Sequence, residues 1–418
     1  MTLSHAEYQA IANQLTPNGQ AFIDGKFCDA LDGEKFETTN PATGQVLASV
    51  AHCKAADVDR AVIAARRVFN AGTWSRAEPE ERKEVLLKVA ELVRKHTHEL
   101  AVLESMDTGK TINDCMDEIG GEVPNFFQWY AELADKTFGK IAPTGPGALA
   151  LITKEPAGIA GAVLPWNFPL VMAAWKIAPA LSVGCSVVIK PAEQTSLSAI
   201  RLAELMQEAG VPDGVINIVP GFGETAGKAI GLHNDIDTVS FTGSTEVGRM
   251  FMRYSGDSNL KGVGLEMGGK SPFIVLDDAL INDDLIEHAA MSAFWNGGQN
   301  CTANMRQLIA APLVEEFTGR ILERVKAFKL GDPLDPATDI GSMITKDHKA
   351  MVMNYIQSGV DEGANMLVGG ASDLPGYFIE PTVFQNVTPE MKIAREEIFG
   401  PVLGIMPIKT AEEALAVA

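Results

Sequence analysis

The sequence lacks several features that mark large classes of protein. Its 34 lysines and arginines are outnumbered by 54 aspartates and glutamates, which gives a formal charge of −20. Because a protein that binds nucleic acid needs a basic surface to neutralise phosphates, we expect no nucleic-acid partner. No apolar stretch has the length of a membrane span, and the N-terminus lacks the pattern of a secretory signal. We therefore expect a cytoplasmic protein with no membrane partner.

The cysteines do not form the close pairs that are typical of metal sites or disulfide frameworks. The five are Cys28, Cys53, Cys115, Cys185 and Cys301. Their wide spacing predicts reduced thiols and no metal site. With 418 residues, the chain is longer than one hydrophobic core usually serves, so more than one domain is expected.

What the sequence does contain, from Gly158 onward, is an alternation of short apolar runs with helical stretches. The runs are GIAGAVLP, CSVVIKP, VINIVPG and TVSFTGS. They predict parallel strands that are buried on both faces, and parallel sheets bind ligands at the carboxyl ends of their strands. Residues 22–27 and 36–50 predict antiparallel strands, which amphipathic helices follow. A second α/β set is predicted to begin near Gly264.

Three residues have neighbours that suit covalent chemistry. Cys301 lies in NGGQNCTANMR, where small residues leave room for a carbonyl group, although a lone cysteine is often a buried apolar residue. Glu266 follows an apolar run, and apolar surroundings favour a general base, whereas the alternative is a solvated surface group. Asn167 in LPWNFP is either an oxyanion donor or a turn residue that bonds its own backbone.

The usual dinucleotide fingerprint, G-x-G-x-x-G, is also absent. Two other glycine motifs, GFG at 221–223 and GSTEVG at 243–248, follow predicted strands and lead into helices whose N-termini could face phosphate. Lys190 and Glu193 offer a cation and a carboxylate near the same edge of the sheet. A carboxylate there suits ribose hydroxyls and repels a 2′-phosphate, which favours NAD over NADP.

Six motifs together resemble the NAD(P)-dependent aldehyde dehydrogenase superfamily. They are LPWNFP, VVIKPAEQT, FTGSTEVG, LEMGGKSP, GGQNCTA and REEIFGP, in this order and at these separations, and the resemblance extends from about residue 20 to the last residue. It implies an α/β fold with two parallel-sheet domains and a protruding oligomerisation hairpin. The implied divisions are 1–136 and 156–265 for the two parts of a Rossmann-like cofactor domain, 137–155 for the hairpin, and 266–418 for the catalytic domain.

The resemblance also implies a reaction. Cys301 attacks an aldehyde to give a thiohemiacetal, Asn167 and the Cys301 backbone amide hold the oxyanion, and hydride passes to NAD. A water molecule that Glu266 activates then hydrolyses the thioester to the carboxylic acid.

Further residues receive roles by the same resemblance. The implied cofactor-binding residues are Trp166, Lys190, Glu193, Gly223, Gly243, Ser244, Gly248, Glu397 and Phe399. The substrate tunnel would include Met172, Trp175 and Trp295, with Tyr130 or Trp129 as further candidates. Aromatic side chains there could hold an apolar tail or an ammonium group, and Asp117, Glu118 and Glu122 could attract a cationic end. One expected substrate is therefore an ω-aminoaldehyde.

The family forms homodimers or homotetramers, and its members continue beyond REEIFGP, so the resemblance implies that a C-terminal tail is missing from this sequence. Two other functions stay open. The thioester could pass to coenzyme A instead of water, although CoA-acylating relatives generally lack the base that Glu266 supplies. The chain could also be an inactive binding or structural protein with the same fold.

Overall fold

Strands and helices alternate over most of the described chain, which is residues 2–418 of a computed structural model. The strands are β1 (Ala21–Ile23), β2 (Lys26–Cys28), β3 (Lys35–Thr39), β4 (Val46–Ala51), β5 (Lys140–Ala142), β6 (Ala150–Ile152), β7 (Ile159–Val163), β8 (Ser186–Lys190), β9 (Ile216–Ile218), β10 (Thr238–Gly243), β11 (Gly262–Met267), β12 (Pro272–Val275), β13 (Arg306–Ala310), β14 (Asn365–Ala371), β15 (Ile379–Gln385) and β16 (Val402–Ile408). The helices are α1 (His5–Gln14), α2 (Ala55–Ala71), α3 (Pro79–Lys95), α4 (Thr97–Thr108), α5 (Ile112–Asp117), α6 (Val123–Leu133), α7 (Pro169–Ser182), α8 (Leu197–Ala209), α9 (Lys228–Leu232), α10 (Thr245–Gly256), α11 (Asp283–Phe294), α12 (Val314–Lys326), α13 (Lys346–Asp361), α14 (Lys392–Arg395) and α15 (Ala411–Val417).

The first large sheet has the strand order β11-β10-β7-β8-β9-β1-β2 within the described residues. Strands β7 to β11 are parallel, and β1 joins β9 in antiparallel orientation. Every residue of β8 is buried, because helices cover both faces of the sheet. The structure therefore confirms the parallel α/β core that the apolar runs predict.

The second sheet has the order β12-β13-β16-β15-β14 in the same described range. Its first four strands are parallel, and β14 is antiparallel to β15. The second α/β set begins at Pro272 and not near Gly264, because residues 262–267 pair along their whole length with β10 in the first sheet. Glu266 consequently lies on an outer strand of the first sheet, whereas Cys301 lies just before β13 of the second.

A layer of helices covers one face of the first sheet next to the loop that carries Asn167. Helices α3, α4, α6, α7 and α8 share one apolar core, in which Leu86, Leu100, Phe127 and Leu170 are fully buried. Helix α7 begins directly after the LPWNFP loop, with Pro169 at its first position, where the missing N–H costs nothing. At the start of α7, the Leu170 amide bonds Glu104 of α4, and Phe168 contacts Lys110, which lies between α4 and α5.

Strands β5 and β6 form an antiparallel hairpin in the segment where the sequence predicts one. Its apolar side chains are largely exposed, since Ile141, Leu149 and Leu151 are each more than 60% accessible. Such a surface is typical of a protein contact. No helix within residues 2–418 is both long and apolar enough to cross a bilayer.

Candidate active site

Cys301 lies in a tight loop between α11 and β13. The loop turns through Asn296, Gly297 and Gly298, all with positive φ. A Cβ at Gly298 would lie 2.3 Å from the Gly400 carbonyl oxygen, so only glycine fits there. The loop is fixed where Gln299 accepts a hydrogen bond from the backbone amide of Ile344 at 3.0 Å. Cys301 itself is only half-buried.

Two nearby carboxylates change the pKa of the Cys301 thiol. Burial raises the pKa of Cys301, and the negative charges of Glu266 and Glu397 raise it further, while its own backbone amide and that of Thr302 lower it. The thiol therefore holds its proton more tightly than a free cysteine does. Glu266 on β11 is exposed, so the apolar surroundings considered from the sequence are absent and the solvated alternative is correct. Its charge is nevertheless near enough to act on the sulfur.

Asn167 is fastened to the Cys301 loop from the opposite side. It is buried, and its side-chain nitrogen donates to the Gln299 carbonyl at 3.0 Å. Its own carbonyl accepts from the Asn296 side chain at 3.3 Å. The amide nitrogen carries two hydrogens, and the bond to Gln299 uses one of them. The loop after β7 and the loop before β13 thus form one hydrogen-bonded unit.

Lys176, which sequence reasoning missed, lies near Glu266. Its ammonium donates to the Ser240 hydroxyl at 3.0 Å. Burial lowers the pKa of Lys176 to about 8, whereas the charge of Glu266 favours the protonated form. The only sequence signal was a lysine in the apolar run PLVMAAWKIAPA of α7. Burial and the nearby charge of Glu266 thus act on the pKa of Lys176 in opposite directions.

Glu397 closes the other side of the pocket against the turn that follows β11. Its carboxylate accepts a hydrogen bond from the Gly269 amide at 3.2 Å. A Cβ at Gly268 would lie 1.9 Å from a Glu397 carboxylate oxygen, so the side chain reaches this position because residue 268 is glycine. Burial raises the pKa of Glu397, and the Gly269 amide and Lys270 oppose that rise.

Trp166 and Phe399 contact each other edge to face, with ring centroids 5.2 Å apart. His348, a second residue that sequence reasoning missed, packs against Trp166 at 5.2 Å, and its Nε2 lies 2.7 Å from the Phe399 carbonyl oxygen. Burial lowers the pKa of His348, so the neutral ring donates this bond. The bond helps to hold Phe399 at φ 56°, a backbone conformation that costs energy for a bulky residue.

The other residues with expected cofactor roles follow parallel strands of the first sheet. Lys190 is buried, and its ammonium pairs with Glu193 at 2.9 Å, so the two residues contact each other. Ser244 caps α10 by accepting from the Val247 amide at 3.3 Å, directly after Gly243. Gly248 packs against Met267, and Gly223 begins a π-helical turn with open space around it.

This arrangement fits a dinucleotide. The first turn of α10 is exposed and leaves backbone amides for phosphate oxygens. Glu193, the carboxylate that suits a ribose, is only partly buried in its pair with Lys190. The Trp166 and Phe399 rings supply an aromatic surface.

The residues expected to line the tunnel differ in their surroundings. Trp295 is half-buried and packs on Phe168 at 5.2 Å between ring centroids. Trp175 is 53% exposed and stacks on Phe126 at 5.4 Å. The other tunnel residues are Met172 and Tyr130, which are half-buried against the core of the helical layer, and Trp129, which is exposed.

One expectation about the acidic residues near the tunnel is wrong. Glu118 is buried and pairs with Lys110 at 2.5 Å, so it is not free to attract a cationic substrate. Asp117 and Glu122 are exposed, as a steering role requires. Asp114, which the sequence did not single out, lies close to Trp295, and burial raises the pKa of Asp114.

Comparison with known proteins shows to which family this chain belongs. The sequence profile of the aldehyde dehydrogenase family matches residues 27–418. The chain belongs to the aldehyde dehydrogenase family. It is 48% identical over 416 residues to an aminoacetaldehyde dehydrogenase of Pseudomonas aeruginosa, with 100% of this chain and 84% of that protein covered.

Solved aldehyde dehydrogenases share the fold. The crystal structure of the aldehyde dehydrogenase KauB from Pseudomonas aeruginosa has a TM-score of 0.98 and 43% identity, covering 100% of this chain and 85% of that one. An indole-3-acetaldehyde dehydrogenase complexed with NAD+ has a TM-score of 0.98 and 44% identity with the same coverage. The two-sheet α/β architecture expected from the motifs is thereby confirmed.

Proposed function

We propose that this aldehyde dehydrogenase oxidises an aldehyde to a carboxylic acid with NAD, through covalent catalysis by Cys301. The observation that carries the proposal is the position of Cys301. It is half-buried in a loop that Asn167 holds by hydrogen bonds, and the charges of Glu266 and Glu397 reach its sulfur. This arrangement supports a nucleophile, an amide donor and a base that act on one substrate.

In the first half of the reaction, the Cys301 sulfur attacks the aldehyde carbon. The carbonyl oxygen becomes an oxyanion, which the Asn167 side chain and the Cys301 backbone amide stabilise. The thiol proton passes to solvent water, since Cys301 is only half-buried. When bound, NAD accepts the hydride that leaves the substrate carbon, which converts the thiohemiacetal into a thioester.

In the second half, Glu266 takes a proton from water, and the water oxygen attacks the thioester carbon. The carbon–sulfur bond breaks, the acid leaves, and the sulfur regains its proton. Lys176 lies near Glu266, and its own pKa of about 8 suits it to exchange protons with solvent.

The cofactor would lie across both sheets. The residues that would hold it are Trp166, Lys190, Glu193, Gly223, Gly243, Ser244, Gly248, Glu397 and Phe399. The carboxylate of Glu193 disfavours the 2′-phosphate of NADP. The NAD+ complex of the similar indole-3-acetaldehyde dehydrogenase supports this cofactor. The hairpin β5–β6, with its exposed apolar side chains, would pair subunits of a homo-oligomer.

For the substrate, we infer an ω-aminoaldehyde. Asp114 lies close to Trp295, so a carboxyl group and an aromatic side chain are adjacent where an ammonium group could contact both. The similar aminoacetaldehyde dehydrogenase acts, by its name, on a short aldehyde of this class. A clear preference for hexanal over 4-aminobutyraldehyde in kcat/KM would refute this substrate class. Asp114→Asn should reduce the ratio of kcat/KM for 4-aminobutyraldehyde to kcat/KM for hexanal.

The reaction itself is tested with Cys301→Ala and with product analysis. The substitution should abolish NADH formation while leaving NAD affinity unchanged, because the sulfur is not among the cofactor ligands. A denaturing mass spectrum after brief reaction with aldehyde should show Cys301 acylated. Formation of acyl-CoA in place of the free acid when CoA is added would contradict the hydrolytic half. Full turnover by Cys301→Ala would refute the covalent role.

A further inference from the structure

A buried ion pair lies beneath the loop that carries Asn167. Lys110, between α4 and α5, is 1% exposed, and its ammonium is 2.5 Å from a carboxylate oxygen of Glu118. Burial opposes the charge on Lys110, but Glu118 and Glu104 close by raise its pKa above the usual value. The ammonium is therefore charged inside the protein.

The same ammonium faces the side chain next to Asn167. Its nitrogen lies 4.0 Å from the centre of the Phe168 ring, which is a close cation–π contact between two buried side chains. The Phe168 ring also packs on Trp295, at the start of the Cys301 loop. Phe168 is thus held between a buried charge on one side and the active-site loop on the other.

A second buried acid holds the loop three residues after Asn167. Glu104 is fully buried, and one carboxylate oxygen accepts from the Leu170 amide at 3.2 Å and from the Ser198 hydroxyl at 3.0 Å. The Leu170 amide belongs to the first turn of α7, where amides have no partner within the helix. Residues on both α4 and the adjoining α4–α5 connection therefore fix the backbone that carries Asn167.

Stability alone does not explain this arrangement. The attraction within a buried ion pair does little more than offset the free-energy cost of desolvating its two charges. Apolar side chains of similar volume often stabilise a protein equally well at such positions. A charge placed over one ring does, however, restrict where that ring can lie. Because Phe168 and Asn167 are consecutive, a shift of the ring moves the amide that faces the reacting carbonyl.

We propose that Lys110 is a positioning residue that acts through Phe168 to aim the Asn167 amide at the developing oxyanion. The role rests on the proposed function of Asn167 and Cys301. It predicts that loss of the Lys110 charge slows the steps that pass through an oxyanion and spares those that do not.

Two reactions of Cys301 without cofactor separate these cases. Acylation by p-nitrophenyl acetate passes through an oxyanion, whereas alkylation by iodoacetamide is a direct displacement that forms none. Lys110→Met keeps the apolar stem and removes the charge, and it should slow acylation about tenfold, on the scale of one desolvated cation–π contact, with alkylation unchanged. If Lys110→Met folds poorly, the double variant Lys110→Met/Glu118→Gln replaces it, because it leaves no unpaired buried carboxylate at position 118. It should show the same slow acylation and unchanged alkylation.

Lys261→Met is the matched control. Lys261 is also buried, and its ammonium bonds the Gly231 carbonyl at 2.8 Å and the Ser258 hydroxyl at 2.7 Å, away from the Asn167 loop. Its loss should leave both reactions of Cys301 unchanged. Equal slowing of acylation by the control would mean that any buried lysine is needed for the fold, and would overturn the specific role of Lys110.

A double-substitution cycle with Asn167→Ala decides whether Lys110 acts through the amide. Once Asn167 is absent, Lys110→Met should change the acylation rate less than about twofold, because its target is gone. A tenfold loss that persists in the Asn167→Ala background would overturn the proposal, as would normal acylation in Lys110→Met. Failure of the unsubstituted enzyme to acylate Cys301 at all would instead refute the proposed function, and this role with it.

Discussion

Gly268→Ala probes the contact between the turn after β11 and Glu397. An added Cβ would lie 1.9 Å from one carboxylate oxygen of Glu397 and 2.6 Å from its carboxyl carbon, so the side chain has to leave. It then loses the 3.2 Å hydrogen bond from the Gly269 amide. The displaced carboxylate would also lose its hydrogen bond to the bound ribose, and a hydrogen bond to a charged group contributes about 1.5–3 kcal/mol. If Glu397 binds the nicotinamide ribose from this position, its displacement should weaken NAD binding roughly tenfold to a hundredfold.

The assay is a titration of NAD against intrinsic tryptophan fluorescence, with the midpoint of thermal unfolding measured in parallel. The midpoint should fall by about a few degrees at most, because one hydrogen bond of a half-buried side chain is lost from a large protein. Gly319→Ala is the control, since no atom lies within 4 Å of its added Cβ on α12 and NAD affinity should be unchanged. An affinity in Gly268→Ala within threefold of the unsubstituted protein would refute the assignment of Glu397 to the cofactor.

Three further results are expected from the catalytic residues. Asn167→Ala should lower kcat by ~10²–10³, the usual effect of removing one oxyanion donor, and a loss below tenfold in steady-state assays would contradict that role. Glu266→Gln should release about one NADH per Cys301 in a stopped-flow burst and then stall at the thioester; steady turnover at the normal rate would exclude Glu266 as the base. The same substitution should move the pH profile of Cys301 alkylation by iodoacetamide to lower pH, because a negative charge that raises the thiol pKa has been removed; an unchanged or upward shift would show that Glu266 does not act on the sulfur.

The strands could be predicted from the sequence, whereas the pairing of polar side chains could not. A strand such as β8, buried on both faces, is visible as an apolar run because each of its positions excludes water. The sequence offered no comparable signal for Glu118, whose burial depends on how α4, α5 and α7 pack together. Lys176 and His348 were missed for the same reason, since each lies on a helix and reaches the pocket only through tertiary packing.

The route of the chain between the two sheets explains why distant motifs meet in one pocket. Asn167, Glu193 and Ser244 follow β7, β8 and β10, so they lie at the carboxyl edge of the first sheet. The chain passes from the end of β11 at Met267 to the start of β12 at Pro272 through residues 268–271. That short link places the carboxyl edge of the first sheet against the amino edge of the second.

The strands β12, β13 and β16 are parallel neighbours, with Pro272 opposite Arg306 and Arg306 opposite Gly404. The segments that precede them therefore collect at the same amino edge. Those segments carry Cys301 before β13 and Glu397 before β16. Ligands of α/β proteins usually bind at the carboxyl edge of a parallel sheet. A ligand at that edge of the first sheet therefore faces Cys301 at the amino edge of the second sheet, because only four residues connect the two sheets.

Lengthening this link, for instance by two glycines after Gly269, should separate cofactor binding from Cys301 acylation. NAD would still bind but hydride transfer would fail, and undiminished turnover would show that the short link does not set the geometry.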